Sequence, residues 1–389
     1  MVKYPLGIQT FSEIREENYL YVDKTSLILE LIQSRKTYFL SRPRRFGKSL
    51  LISTLEAVFE GQKQLFDGLA IDDSEYDFVQ YPVLRFDFSD GLFITSTELQ
   101  SFICDAVDDY AIKYDITLTR ENYTQRFKEL ISKLHQKTGH KVVLLVDEYD
   151  KPILNNLKKT ILGEIKATLG TFYASFKSQD SHIKFTFITG VSKFAQVSVF
   201  SGMNSLTDIS MQKEYASICG ITQQELVAHF DDAIKLLPVE FGEDVLVKIK
   251  HWYNGYRFHQ DADSVYNPYS LLSLFTFKEF KNFWYATATP TFLLNLLQDK
   301  QFDLTGLSQF EIGQSAFSAS EPEDMDVLSL FVQTGYLTIK GYNKPLYVLD
   351  FPNYEVKKSF YDSIATRYGH LGSGLGEKYT HKLVQYIND

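Results

Sequence analysis

An α/β fold on a parallel sheet, followed by a mostly helical region, is what this sequence predicts, and three observations carry it. The run KVVLLVDEYD (141–150) holds five consecutive branched aliphatics without alternation, the pattern of a strand buried on both faces. Apolar runs of strand length recur at TYFLS (37–41), PVLRFDFS (82–89) and IKFTFIT (183–189), with helical stretches between them. From residue 222 onward the segments read as amphipathic helices.

Each element follows from its residues. TYFLS runs into SRPRRFGKSL (41–50), after which SLLISTLEAVFEG spaces its apolar residues as on a helix ending at Gly61. PVLRFDFS is bounded by Pro82 and the turn pair Asp90-Gly91. A helical region spans 95–137, and the fourth strand leads into Gly190 and Ser192. TQQELVAHFDDAIKLL and EDVLVKIKHWYNGY are amphipathic, with Thr222 and Glu225 placed as a capping box. Beyond 300, LSLFVQTGYLTIKGY and PLYVLDFPNYEV mix helical and strand signals and read as hairpin partners.

Composition narrows the function classes. With 44% hydrophobic residues the 389-residue chain can bury a large core, and its length suggests two or three domains. No apolar run is long enough to span a bilayer and no secretory block opens the chain, so a cytoplasmic protein without membrane association is expected. Cys104 and Cys219 suit buried packing better than a disulfide or zinc site. A net charge of −9 argues against nucleic-acid binding by bulk electrostatics, though a local basic patch is still compatible. Residues 56–123 carry fifteen acidic and four basic side chains, whereas six cations crowd between Arg35 and Lys48. Such a cluster in an acidic chain points to a small polyanion.

SRPRRFGKSL ends as a phosphate-binding loop does. In the pattern G-x-x-x-x-G-K-[ST], Gly47-Lys48-Ser49 supply the end, while Arg42 replaces the first glycine. Strand, loop and helix are the required setting, because backbone N–H groups at a helix N-terminus wrap a phosphate. In that role Arg44, Arg45, Phe46, Gly47, Lys48, Ser49 and Leu50 form the nucleotide-binding stretch. Lys48 reaches the β and γ phosphates of ATP and the Ser49 hydroxyl binds Mg2+. The rival reading is a solvated basic turn. A carboxylate ending another buried strand discriminates, and Asp147 supplies it, holding magnesium through water while Glu148 polarises the attacking water.

Thr189 and Ser192 end the fourth strand, where they touch the γ-phosphate, orient water or only satisfy backbone groups. An arginine completing the site is expected from another domain or subunit; Arg257 in WYNGYRF is the candidate within the chain, beside Arg44 and Arg45. Asp150 and Lys151 read as a surface pair, and His229, His251 and His259 lack metal-ligand spacing.

These residues resemble the bacterial AAA-ATPase-like family, whose members carry a DKT segment and an RPRRFGKS loop, here Asp23-Lys24-Thr25 and Arg42 to Ser49. The likeness continues through VLLVDEYD, TGVSKF (189–194), FSGMNSLTDIS (200–210), WYNGYRF (252–258) and VYNPYSLL (265–272), from residue 4 to residue 360. It implies that the missing first glycine is a family trait. It also implies a P-loop NTPase fold similar to STAND-branch archaeal ATPases, with strand order 5-1-4-3-2 and a helical or winged-helix-like domain whose arrangement switches with nucleotide. The expected units are 1–222, 223–350 and 351–389, the last as the start of a nuclease domain cut short.

Two departures stand out. The family's TGTP reads Thr287-Ala288-Thr289-Pro290. Many relatives continue into a PD-(D/E)XK nuclease, yet 360–389 shows no E-x-K or D-x-K pairing after a strand, so no nuclease activity is expected of this chain. The expected function is magnesium-dependent ATP binding with slow hydrolysis as a conformational switch, in nucleic-acid processing or defence, with a nucleic-acid or protein partner. The alternative is a nucleotide-stabilised binding module without turnover. A kinase would need an arginine-rich lid, and none stands out after the fourth strand.

Overall fold

The computed structural model describes residues 2–157, 159–193, 196–203, 205–284, 310–317 and 326–368. Thr287 to Pro290 and the glycine-rich stretch 369–378 lie outside these residues.

The first sheet contains β1 (Thr37–Ser41), β2 (Val83–Asp87), β3 (Val142–Asp147), β4 (Ile183–Gly190) and β5 (Thr207–Asp208). All its pairings are parallel and the order is β5-β1-β4-β3-β2, the order the resemblance implied. Every residue of β3 is buried, which is why its aliphatics do not alternate. Helices α1 (Phe11–Glu16) and α2 (Thr25–Ser34) precede β1, and α3 (Lys48–Phe59) packs against β2, β3, β4 and α1. A second helical layer is formed by α4 (Ser96–Lys113), α5 (Tyr123–Thr138) and, after the short α6 (Lys151–Leu154), by α7 (Leu162–Ser178). Phe127 joins this layer to the sheet, its ring centroid 6.0 Å from Phe86 of β2 and 5.1 Å from Phe172 of α7. Burying each such ring contributes about 1.5–3 kcal/mol.

After α8 (Gln196–Val199) and β5 come α9 (Gln223–Lys235), α10 (Val245–Tyr253) and α11 (Pro268–Phe277), which share a smaller apolar core. The expected Thr222–Glu225 capping box forms at the start of α9. The remaining described elements are β6 (Phe310–Gly313), α12 (Val327–Thr334), β7 (Thr338–Asn343), β8 (Leu346–Asp350) and α13 (Tyr354–Tyr368). As expected, β7 and β8 are antiparallel partners, and β6 pairs with the other edge of β8. Cys219 is buried, whereas Cys104 is only partly so.

Register positions the site. Leu40 of β1 lies opposite Thr189 of β4, Val146 of β3 opposite Ile188, and Asp147 opposite Asp87. The carboxyl ends of β1, β3 and β4 are therefore level, at the edge where open α/β sheets bind ligands.

Candidate functional site

From Ser41 the chain turns through residues 42–47 into α3. Left-handed backbone occurs at Arg45 (φ 66°) and Gly47 (φ 89°), and Arg42 is not among the positive-φ residues. The first position of the loop pattern thus needs no glycine here. Arg42 serves as a structural tie: 1% exposed, it donates to the carbonyls of Ser41 (2.9 Å), Ser210 (2.8 Å) and Tyr215 (3.1 Å) and lies 3.9 Å over the Phe258 ring. Burial lowers its pKa to about 10, so it remains charged at neutral pH.

Lys48 is 4% exposed. Its ammonium donates to the carbonyls of Arg42 (3.2 Å) and Pro43 (3.4 Å) and pairs with Glu148 Oε1 at 3.4 Å. Asp147 is fully buried, and its Oδ1 accepts from the Thr189 hydroxyl (2.5 Å) and the Glu148 N–H (3.0 Å). Burial raises the Asp147 pKa, with the neighbouring Glu148 charge adding to it, while the Ser49 and Thr189 hydroxyls and Lys48 oppose the rise. Its Oδ2 has no hydrogen-bond partner. An orphaned buried carboxylate oxygen is costly, and a hard cation is its natural complement. The residues present therefore fit magnesium, with Ser49 and Asp147 as the groups that would hold it. No cage of three or more His, Cys, Asp or Glu exists among the described residues, and a magnesium ion shared with phosphates needs none. Glu148 itself sits at φ 52°, a strained backbone for a non-glycine residue of the kind concentrated at functional sites.

Above this edge opens a cavity of about 380 Å³ whose walls include Arg44, Arg45, Gly47, Lys48, Ser49 and Glu148. Arg45 lies 4.9 Å over the Tyr269 ring. An apolar cavity of about 100 Å³ adjoins it, and the two share Gly47, Leu50 and Pro268. Phe46 points elsewhere than the polar cavity: its buried ring lines the apolar one and packs 4.8 Å from Tyr256 and 5.5 Å from Phe258.

Other expected residues fall differently. Thr189 holds Asp147 from behind and is not in the cavity lining. Arg257 is not brought to the loop cavity, because reciprocal bonds with Thr338 fix its backbone to β7 and its guanidinium donates to the Lys340 carbonyl at 3.4 Å. The surface pair of Asp150 and Lys151 does not form. Asp150 is fully buried and accepts from the Ser192 N–H (2.8 Å), the Ser192 hydroxyl (2.6 Å) and the Val191 N–H (3.3 Å), while Lys151 lines the loop cavity. Ser192 is thereby committed to Asp150. Nothing local in the sequence gives this, since both partners lie at the exit of another strand. Sequence reading also left Lys24 without a task, and it reaches across to Glu225 of α9 at 2.5 Å.

The sequence profile of the predicted AAA-ATPase family matches residues 5–200. A protein of Azotobacter chroococcum mcd 1, described as an uncharacterized protein in the vnfD 5' region, is 41% identical over 372 residues, covering 94% of this chain and 70% of its own length. The chain belongs to the predicted AAA-ATPase family. Membership supports ATPase-like nucleotide binding, and the matched span holds the loop, Asp147 and Glu148. No helix of this AAA-ATPase family member is long and apolar enough, among the described residues, to cross a membrane.

Proposed function

We propose that this protein binds ATP with magnesium at the Arg42–Leu50 loop, hydrolyses it slowly, and uses the cycle to switch the arrangement of its domains, with a nucleic acid as partner. The observation that supports this most is the convergence of Lys48, Ser49, Asp147 and Glu148 at one sheet edge, with Asp147 Oδ2 left unpaired. Lys48 and the loop N–H groups bind the phosphates, and Thr189 fixes the Asp147 carboxylate. Bound magnesium would neutralise phosphate charge. Glu148, released from Lys48 when phosphate arrives, orients and deprotonates water. The base would enter from the phosphate side towards the adjoining apolar cavity, which shares Gly47, Leu50 and Pro268 with it.

Support for a switch over a static nucleotide comes from what grips the loop. Trp284 Nε1 donates to the Arg44 carbonyl at 3.1 Å, Phe46 packs on Tyr256 and Phe258, and a Cβ on Gly335 would lie only 2.7 Å from Pro43. Any loop movement on phosphate entry is thus felt by the second half of the chain.

Calorimetric titration of ATP with magnesium tests the reading. Wild type should bind, and Lys48→Ala should lose at least about 100-fold in affinity, since a charge-assisted contact to phosphate disappears. Equal binding by the two would sink the site assignment.

A further inference from the structure

The chain carries a net charge of −9, yet its second half gathers cations around a cavity that the nucleotide site does not use. This cavity of about 300 Å³ lies between the last turn of α10 and the first turns of α13, with Lys250, His251, Lys357 and Lys358 on its walls. Asp350 is the acid in the lining, and its Oδ1 already accepts the Phe351 N–H. Lys358 pairs with Asp362 at 2.8 Å, whereas Lys250 and Lys357 have no acidic partner among the described residues.

The floor comes from WYNGYRF and FPNYEVKKSF, and none of the residues lining this cavity lines the loop cavity. Gly255 has φ +111°, and a Cβ there would sit 1.9 Å from the Pro352 carbonyl oxygen, so only glycine allows the two segments to meet. Lys340 closes the underside by donating to that same carbonyl at 2.8 Å. Asn353, 9% exposed, caps α13 through Oδ1 on the Val356 N–H (3.1 Å), and its amide is directed to the Tyr256 hydroxyl.

Lysines near the start of α13 oppose the positive end of its dipole. Glu355 does not relieve them, because its carboxylate is turned inward onto the Ser270 hydroxyl (2.8 Å) and the Trp284 N–H (2.6 Å). Burial and the nearby Lys357 both push the His251 pKa down. A charged His251 and Lys357 repel each other, and an anion between them would relieve this. Beside it Tyr354 packs 4.7 Å from Trp252 and 5.1 Å from His251, an aromatic group next to the cations. Cations tracking a backbone with aromatics beside them is how single strands are held.

We propose that this cavity binds a backbone phosphate of a single nucleic-acid strand, with Lys250 and Lys357 as donors and Tyr354 as the adjoining stacking face. The proposal rests on the nucleic-acid part of the function above, not on ATP binding. It also gives the switch an output, since Asn254 and Gly255 line this cavity while Tyr256 and Phe258 touch Phe46 of the loop.

The test is fluorescence anisotropy with a labelled oligothymidine of about twelve nucleotides, between about 50 and 200 mM salt. Wild type should bind in a salt-dependent way. Lys250→Glu, at an exposed position that folding tolerates, and the Lys250→Glu/Lys357→Glu pair should weaken binding by about tenfold or more and flatten the salt slope by about one. Both variants should bind ATP with magnesium as wild type does, which separates failure here from failure at the ATP site. Absence of binding by wild type at the lowest salt, or equal binding by the double variant, overturns the proposal. So does calorimetric binding of inorganic phosphate, lost in the double variant, without any oligonucleotide binding, because that assigns the cavity to a free anion.

Discussion

At the phosphate loop the central cation, Lys48, is 4% exposed and held by two carbonyls and Glu148, whereas in the α10–α13 cavity Lys250 is exposed and Lys357 half-buried, neither with an acidic partner among the described residues. The first site is organised before any ligand arrives, by backbone and by the level ends of three strands. The second is lined by Lys250, Lys357 and Lys358, of which only Lys358 pairs with an acid among the described residues. A preorganised site loses little entropy on binding and tolerates little substitution, while an exposed one behaves as a salt-dependent counter-charge.

The comparison breaks most sharply at Arg42. Arg42→Ala removes a buried guanidinium and its bonds to three carbonyls, and should cost about 3–5 kcal/mol of stability by denaturant unfolding. Lys250→Glu, in the last turn of α10, should cost no more than about 1 kcal/mol. A tolerated Arg42→Ala would mean that the first cavity is no more preorganised than the second.

Next in size is Glu148→Gln. It removes the ion pair with Lys48 and the group assigned to water, so turnover measured by phosphate release should fall by about 100-fold with ATP affinity kept within about threefold. Wild-type turnover in this variant would take the catalytic role away from Glu148.

The smallest effect concerns Glu355, whose burial raises its pKa to about 8. The folded state holds this proton more tightly than the unfolded state, whose ordinary value is 4.5. The stability it contributes is full below that unfolded value and is lost as pH rises through about 8. Glu355→Gln should therefore match wild type near pH 4 and gain on it as pH rises towards 8, by about 1–2 kcal/mol in unfolding free energy already at pH 6. An unchanged gap between the two proteins at both pH values would show that the carboxyl does not titrate in this window.

Much of the fold was legible because its signals are local. Five successive aliphatics require cover on both faces, and Thr222 with Glu225 suffices to start α9. The site was legible in part for the same reason, since Gly47, Lys48 and Ser49 sit in one turn and Asp147 and Glu148 at one strand end. Asp150 was misread because its partners, Val191 and Ser192, lie on another strand's exit and no periodicity points to them. Arg257 was given a catalytic task because its charge is visible in sequence, while the Thr338 bonds that hold it away are not.

By itself the sequence determined the elements, the Gly47-Lys48-Ser49 turn and the two carboxylates, because each depends on neighbours within a few residues. Only the tertiary structure decided that Arg42 is a buried tie, that Lys24 reaches Glu225, and that WYNGYRF meets FPNYEVKKSF beneath a ring of lysines. Those contacts join residues tens to hundreds of positions apart, and their energy is set by burial and by unpaired polar atoms, quantities that do not exist until the chain has folded.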